Sequence, residues 1–379
     1  MTKREQLLAA INHEEGMIPS WTMAFFNLDL AKKLLGEENV MTDYLPCSGF
    51  KTGCADADNR ERNVRYAQAV DNFAIAVGKG GNFAFGHGGP GEFLDKLVES
   101  GENYAISVYE TGVKKLTKKN PHFYHHYDYP MATLEDIDAL VLPNASDPIR
   151  YEGIDEDAAF YRKCGYLPYA NLNGLFSAIH YFCYPYDKIL MDLLLEPEQI
   201  RTLIRRIAEF NLTAAEHLLR CGVEMITTCD DLGDGRSLLF SPEVFQQMFA
   251  PYYHELAELC HSYGAVLHLH SHGNIRKVLP MLADAKIDLI NPFDPYEVGD
   301  IDEIKDQFGK RITIVGGMHR YFFNSDREQM RSLMLKSVNA ARKGGGYIWM
   351  DNGGIPENVT KETYNYYRNL SAELRSKGA

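Results

Sequence analysis

The second half of the sequence repeats one pattern, in which a helix ends at a glycine and is followed by a short apolar strand and a polar loop. Strands are predicted at 166–173, 225–229, 266–273, 288–291, 312–315 and 347–350. Glycine stops the intervening helices because it adopts the left-handed backbone conformation without strain. Alternation of this kind is typical of a parallel sheet that is covered by helices.

Two earlier apolar segments, 20–26 and 73–77, are further strand candidates and bring the number of strands to eight. Eight parallel strand–helix units are the number that closes into a barrel. The sequence therefore predicts an α/β fold of the (β/α)8 TIM-barrel class, with functional residues at the C-terminal ends of the strands. We expect one barrel domain over 1–379, with a helical extension at about 1–18 and an inserted β-hairpin at about 100–130.

Composition limits the classes of partner and compartment. The 39 Lys and Arg residues against 52 Asp and Glu give a formal net charge of −13, which argues against nucleic acid and against strongly anionic substrates. The 7 Cys residues are scattered, and no apolar stretch approaches the roughly 20 residues of a membrane span. Because the N-terminus also has no apolar signal region, we expect a soluble cytoplasmic protein without a membrane contact.

Three histidines alternate along the predicted strand at 266–273. Because successive strand side chains point to opposite faces, His268, His270 and His272 share one face. His268 lies deepest in the apolar run and is expected to be a core residue. His270 and His272 lie next to Gly273 at the strand end, where ligands bind in barrels, and imidazole is the commonest protein metal ligand.

Other strand ends carry polar side chains that should meet the histidines across the barrel mouth. They are Asn171, Asn173, Asp230, Asp231, Asn291, Asp294, His319, Asp351 and Asn352. The predicted hairpin carries a further group, His122, His125 and His126. These three could bind a metal, but histidines mixed with aromatic residues on a hairpin more often form a packed or interface surface.

A series of short motifs runs along nearly the whole chain. They are Thr133-Leu134-Glu135-Asp136, Ser241-Pro242-Glu243, His270-Ser271-His272-Gly273-Asn274, Gly316-Gly317-Met318, Gly346-Tyr347-Ile348 and Gly354-Ile355-Pro356-Glu357-Asn358. In this order they resemble the uroporphyrinogen decarboxylase superfamily. The resemblance implies a barrel of the uroporphyrinogen decarboxylase type and a homodimer, for which the aromatic hairpin could serve as interface.

The resemblance implies one of two chemistries. Uroporphyrinogen decarboxylases hold an octacarboxylate tetrapyrrole with arginines of an Arg-Gln-x-Gly-Arg-Tyr segment near the N-terminus. The corresponding segment here, from Trp21 to Asn27, contains no arginine. Carboxylates without guanidinium partners would stay unneutralised in a partly dry pocket, so uroporphyrinogen decarboxylation is disfavoured.

The other chemistry is that of the corrinoid-dependent methyltransferases, in which a separate corrinoid protein docks over the barrel mouth. Members that methylate thiols hold zinc on a His-x-Cys pair and a distant Cys. This sequence has His270-x-His272 instead, which argues against methylation of coenzyme M. Zinc on imidazoles is more electron-poor and suits polarisation of an ether oxygen. We predict His270 and His272 as zinc ligands, with His319 or Asp231 as the third; Asp231 could instead orient a ligand.

We therefore predict a methyltransferase that moves a methyl group from a small methoxylated, aromatic substrate to the cobalt of a corrinoid protein. Catalytic roles are predicted for Asp231, His270 and, as a general acid, Tyr169. The residues predicted to bind substrate are Phe25, Phe26, Asn171, Asn173, Phe176, Asp351 and Asn352. The aromatic residues among them would wall an apolar pocket, although aromatic residues at strand ends are also often core.

Two other classes of protein remain open at this point. His-x-His at a strand end and Asp351 after the last strand are also the parts that barrel metallohydrolases use to activate water. In those enzymes, however, the His pair lies on the first strand, whereas here it lies on about the fifth. The second alternative is a barrel that only binds a tetrapyrrole or a corrinoid without catalysis.

Overall fold

The computed structural model describes residues 1–22, 27–36, 57–78, 84–85, 96–118, 123–352 and 354–376. The predictions for Phe25, Phe26 and His122 lie outside the described residues. Seven parallel strands form one curled sheet: β1 (Ala74–Ala76), β6 (Leu167–Asn173), β7 (Met225–Cys229), β8 (Val266–His270), β9 (Leu289–Asn291), β10 (Thr313–Val315) and β11 (Tyr347–Ile348). The sequence thus predicted the type and the order of these strands correctly, with ends that differ by a few residues.

The segment at 19–21 closes the sheet into a barrel. The backbone N–H of Trp21 donates to the Trp349 carbonyl at 2.9 Å, and the backbone N–H of Trp349 donates to the Pro19 carbonyl at 2.8 Å. On the other side, the Phe73 N–H donates to the Ser20 carbonyl at 3.0 Å. The segment therefore occupies the eighth strand position between β11 and β1, and the fold is the predicted (β/α)8 barrel.

Apolar side chains fill the barrel interior, as expected for a barrel with this number of strands. Trp21 is fully buried and packs edge to face on Tyr169 at 5.1 Å and on His268 at 4.8 Å between ring centroids. The N-terminal helix α1 (Lys3–Ile11) contributes Leu7 and Ile11 to the same cluster. The predicted N-terminal extension thus packs against the apolar filling of the barrel.

Twelve further α-helices are described: α2 (Leu28–Leu35), α3 (Ala57–Val70), α4 (Ile154–Lys163), α5 (Leu175–Phe182), α6 (Tyr186–Leu195), α7 (Pro197–Arg220), α8 (Pro242–Met248), α9 (Ala250–Ser262), α10 (Leu279–Asp284), α11 (Ile301–Phe308), α12 (Arg327–Ala341) and α13 (Lys361–Ser376). The sequence predicts one helix from Ser241 to Gly264, because Ser241 suits the N-cap and Pro242 the first helical position, but the structure divides it at Phe249. Pro251 has no N–H to donate within the helix, and the Gln247 carbonyl instead accepts from Arg201 at 2.9 Å.

The insertion at about 100–130 is larger than the predicted hairpin. It is an antiparallel sheet of four strands, β2 (Lys96–Ser100), β3 (Tyr104–Val108), β4 (Lys114–Lys118) and β5 (Phe123–Tyr127). The sheet packs on the end of α5, where Tyr109 lies edge to face on Phe182 at 5.0 Å and His126 contacts Tyr181 at 5.0 Å. The inserted sheet therefore lies against the helix that follows β6. None of the described helices is both long and apolar enough to span a membrane.

Asp230, directly after β7, ties the start of α5 to the barrel. Its fully buried carboxylate accepts from the backbone N–H groups of Ser177 at 2.7 Å and Phe176 at 3.2 Å, and from the Tyr253 hydroxyl at 2.6 Å. Carboxylates stabilise the free N–H groups at a helix N-terminus. A Cβ on Gly174 would lie 2.1 Å from the Asp230 Cβ, so only glycine fits at this turn.

We expect Asp230→Ala to lower the free energy of unfolding by about 3 kcal/mol, because it leaves three buried donors without an acceptor. Urea unfolding followed by circular dichroism measures the change. Tyr253→Phe is the matched control, since it removes one of the three hydrogen bonds and should cost about 1 kcal/mol. Equal midpoints for the wild type and Asp230→Ala would contradict this role.

Candidate active site at the barrel mouth

Strand register brings four side chains into one row at the barrel mouth. Asn173 pairs with Cys229, Cys229 with His270, and His270 with Asn291. In a parallel sheet, paired residues point to the same face. Side chains from four strands therefore line the same level of the mouth.

His270 is held by an amide. Its Nδ1 lies 3.2 Å from Oδ1 of the fully buried Asn291, whose Nδ2 donates to the Met350 sulfur at 3.0 Å. Because an amide oxygen only accepts, it favours the tautomer with the proton on Nδ1 and leaves Nε2 with its lone pair. Burial, and then the neighbouring His272, lower the pKa of His270 to about 4, so the ring is neutral at pH 7.

His272 adjoins His270 and has its own oxygen neighbour. The two rings lie edge to face with centroids 4.9 Å apart. The backbone N–H of His272 donates to Asp231 Oδ1 at 2.8 Å. The ring Nδ1 of His272 lies 3.7 Å from Glu297 Oε2. Burial also lowers the pKa of His272, so the site presents two neutral imidazoles.

Glu297 and Arg320 support the His272 loop. The buried Glu297 carboxylate accepts the Gly273 N–H at 3.0 Å and forms an ion pair with Arg320. The backbone N–H of Arg320 donates to the Asp294 carboxylate at 2.9 Å, and the Arg320 guanidinium lies 3.6 Å from the same carboxylate. The positive charge of Arg320 is therefore already matched by two buried carboxylates.

Asp231 lies among several titratable groups at the mouth and is half-buried. Its charge acts on the pKa of each of five neighbouring groups, after the larger effect of burial: His180, Tyr181, Cys229, His270 and His272. Three of these groups, His180, Tyr181 and Cys229, were not predicted to act at the site. Cys229 is exposed, and the protein around it, followed by Asp231 and Asp230, raises the pKa of its thiol well above 9.

Cys229 could have been found from the sequence, because Met225, Thr227 and Cys229 alternate in the same way as Val266, His268 and His270 on the next strand. His180 and Tyr181 could not have been found from the sequence. They lie in the last turn of α5, a helix that was not predicted, and no spacing relates them to a strand end. Burial lowers the pKa of His180 to about 4, so it is a third neutral imidazole near Asp231.

Several predicted residues do lie at or near the mouth. Asn171 is half-buried and shares the inward face of β6 with Tyr169 and Asn173. Asn173 donates through its amide to the Phe85 carbonyl. Asn352 is half-buried and donates to Asp294 Oδ2 and to the Met318 carbonyl, both at 2.8 Å.

Other predicted residues lie elsewhere. Phe176 is fully buried and packs on Phe240 and Phe249 in the core, so it does not wall the mouth. Tyr169 lies inside the barrel against Trp21, where burial raises the pKa of its hydroxyl to about 12. His268 is buried there as expected, and burial lowers its pKa to about 3.

The two mouth histidines fit a metal as a pair. The His270 Nδ1 contacts the Asn291 oxygen at 3.2 Å, which is how metal-binding histidines are oriented. The His272 Nδ1 lies 3.7 Å from Glu297, which is longer than a hydrogen bond. A third protein ligand is not present among the described residues, which contain no group of three His, Cys, Asp or Glu side chains placed to hold a metal ion. His319 does not join the pair, because its ring stacks on Tyr296 and its Nδ1 accepts the Tyr321 N–H at 3.2 Å.

Asp351 follows β11 and is fully buried. The Thr22 hydroxyl donates to its Oδ2 at 3.0 Å. Burial raises the pKa of Asp351 to about 7, and the hydrogen bond from Thr22 offsets only part of this effect. The carboxyl group is thus near the midpoint of its titration at neutral pH.

The fold and the mouth together define a class of protein: a (β/α)8 barrel with imidazoles and carboxylates at the C-terminal ends of its strands. The model of the family "Uroporphyrinogen decarboxylase (URO-D)" matches residues 171–372, more than half of the chain. The chain therefore belongs to the uroporphyrinogen decarboxylase family. None of the curated proteins matches the sequence.

Solved structures resemble the whole chain at low sequence identity. A methyltransferase from Methanosarcina mazei is 14% identical with a TM-score of 0.66, and the match covers 98% of this chain and 99% of that chain. A B12-independent methionine synthase from Shewanella sp. W3-18-1 is 13% identical with a TM-score of 0.47, over 96% of this chain and 98% of that one. At such identity, the first of these supports the fold alone.

The pKa of Asp351 predicts a pH-dependent stability. The folded-state pKa is raised above the unfolded value of about 3.9, so the stability contributed by the neutral carboxyl is present below pH 4 and is lost as pH rises towards 7. Asp351→Asn has no such titration. Relative to this variant, we expect the wild type to lose about 3 kcal/mol of unfolding free energy between pH 5 and pH 8.

Urea unfolding at the two pH values measures this difference. Asp306→Asn, which removes an exposed carboxylate of α11, is the control and should keep the wild-type pH profile. Parallel pH profiles for the wild type and Asp351→Asn would show that Asp351 does not titrate in this range.

Proposed function

We propose that this protein is a methyltransferase, and that it transfers the methyl group of a small methoxylated aromatic compound to the cobalt of a corrinoid protein. The observation that carries the proposal is the composition of the mouth in a URO-D family barrel. His270 and His272 are neutral and adjacent, and Asp231 lies beside them. The two imidazoles are suited to holding a metal ion, which would polarise a neutral ether and stabilise the negative charge that develops on its oxygen.

The same composition argues against decarboxylation of a polycarboxylate tetrapyrrole. Several substrate carboxylates would need guanidinium partners, since buried charges are stable only when paired. Residues 21–27 contain no arginine, and Arg320 at the mouth is already paired with Glu297 and Asp294. The proposed substrate is therefore small and carries few charges.

The chain's own residues would bind the ether and stabilise the leaving oxygen. When the methyl–oxygen bond breaks, the oxygen keeps the electron pair and needs a hydrogen-bond donor. The Cys229 thiol and the Tyr181 hydroxyl are donors near Asp231. The surrounding protein and the neighbouring carboxylates raise the pKa of the exposed Cys229 thiol, and burial raises the pKa of Tyr181, so each keeps its proton. Such donors stabilise the oxygen most when its charge is largest, which lowers the barrier.

Two groups from outside the chain complete the proposal. The corrinoid of the partner protein would supply the cobalt nucleophile that accepts the methyl group. Zinc, if it is bound, would be held by His270 and His272 and would act as a Lewis acid on the ether oxygen. We also propose a homodimer; the exposed Phe123 and Tyr124 of the inserted sheet are candidates for its interface.

Methyl transfer is tested with purified protein, a cobalt(I) corrinoid protein and methoxylated aromatics, followed by the visible absorbance of the cobalt. We expect transfer by the wild type and a loss of at least about 100-fold in His270→Ala, since one residue of this kind contributes about 2.7–4 kcal/mol to catalysis. His254→Ala, on the exposed surface of α9, is the control. Hydrolysis of esters or amides without any corrinoid protein would instead support a metallohydrolase, and tight corrinoid binding without transfer would support a binding protein.

Zinc is tested separately by elemental analysis. We expect about one zinc per chain in the wild type and in His254→Ala, and little in His270→Ala or His272→Ala, because removal of either imidazole leaves one described ligand. Unchanged zinc in both variants would contradict the ligand assignment. If the wild type contains no zinc, only the hydrogen-bond donors of the chain would stabilise the leaving oxygen.

A further inference from the structure

The loops that follow β7 and β8 line a cavity that the proposed function does not use. Its volume is about 340 Å³, and neither Asp231 nor the histidines of the mouth belong to its lining. Cavities that bind small molecules begin at about this size. The lining residues on which binding would depend are Arg236, Leu238, Phe240, Pro242, Asn274 and Lys277.

Backbone contacts hold the two loops together. The backbone N–H of Asn274 donates to the Asp234 carbonyl at 2.7 Å, and the Asn274 side-chain amide donates to the Arg236 carbonyl at 3.3 Å. A Cβ on Gly273 would lie 2.1 Å from the carbonyl carbon of Gly233, so only glycine allows the loops to approach this closely. The walls of the cavity are therefore formed before any ligand binds.

Two cations line the cavity, and neither forms an ion pair within the part of the chain that the structure describes. They are the exposed side chains of Arg236 and Lys277. Asp234 Oδ1 instead accepts the backbone N–H groups of Arg236 at 2.7 Å and Ser237 at 2.8 Å. The carboxylate of Glu243 interacts with the charge of Lys277 but is not paired with it. An anion in the cavity would therefore meet two cations that can still bind it.

Apolar side chains form another part of the lining. Leu238, Phe240 and Pro242 are half-buried, so that part of each is available to a ligand, and we call these three residues the apolar wall. Phe240 is held by its contacts with Phe176 and Phe249, at 5.4 and 5.0 Å between ring centroids. A ligand with an apolar body would gain free energy by removing this surface from water.

We propose that this cavity binds a small organic phosphate monoester, with its phosphate between Arg236 and Lys277 and its apolar body against the apolar wall. A phosphate monoester carries nearly two negative charges at neutral pH, which match the two cations. A guanidinium group also binds phosphate through two parallel hydrogen bonds. The site lies apart from the histidines of the mouth, and the inference does not rest on the proposed function.

Binding is measured at pH 7.5 by isothermal titration calorimetry with phenyl phosphate, inorganic phosphate and benzyl alcohol. The second compound has no apolar body, and the third has no charge. We expect the wild type to bind phenyl phosphate at least about tenfold more tightly than either of the others, because only phenyl phosphate uses both parts of the cavity.

Arg236→Gln and Lys277→Gln should each weaken the binding of phenyl phosphate by at least about tenfold, as expected for the loss of a charge-assisted hydrogen bond. Lys310→Gln is the matched control, because it removes the same charge from exposed surface after α11 and should bind as the wild type does. Since the three replaced side chains are exposed, we expect the variants to keep the wild-type midpoint of thermal unfolding.

His270→Ala distinguishes this cavity from the mouth. It should bind phenyl phosphate as the wild type does, because His270 is not part of the lining. The inference is overturned if the wild type does not bind phenyl phosphate, if inorganic phosphate or benzyl alcohol binds equally tightly, if Arg236→Gln and Lys277→Gln bind normally, or if His270→Ala loses binding. None of these results depends on methyl transfer, because no corrinoid protein is present.

Discussion

The parallel register of β6, β7, β8 and β9 is the constraint on which the site depends. It aligns Asn173, Cys229, His270 and Asn291, which are separated by up to 118 positions in the sequence, at one level of the barrel. A slip of one residue in any strand would turn its side chains to the other face. The same register keeps Tyr169, Met225 and Leu289, which share the inward face further down the strands, buried in the barrel.

Burial and hydrogen bonding then set the chemistry of the aligned side chains. The protein around His270 and His272 keeps both rings neutral, while Asn291 and Glu297 face their Nδ1 atoms. Among the described residues, Arg320 is the arginine that pairs with Glu297 and Asp294. These two carboxylates neutralise its charge. The mouth consequently presents two neutral imidazoles beside the carboxylate of Asp231.

The features that the sequence predicted correctly are those with a local signal. Strands such as 225–229 and 266–270 are short apolar runs that follow a glycine, and α7 has a proline at its start and Gly222 after its end. The features that were missed depend on distant residues. The break between α8 and α9 is completed by Arg201 of another helix, and the inserted sheet has four strands rather than two because β2 pairs with β3 and β5 pairs with β4.

By itself, the sequence determined the barrel and the face on which His268, His270 and His272 lie, because helix and strand periodicity follow from each residue's own preferences. Only the tertiary structure decided which of these side chains work together. Closure of the barrel buried Tyr169 and His268 and left His270 and His272 partly open. The packing of α5 brought His180 and Tyr181 to Asp231, and put Phe176 in the core. Proximity between residues distant in sequence depends on how whole helices and strands pack, and no local pattern carries that information.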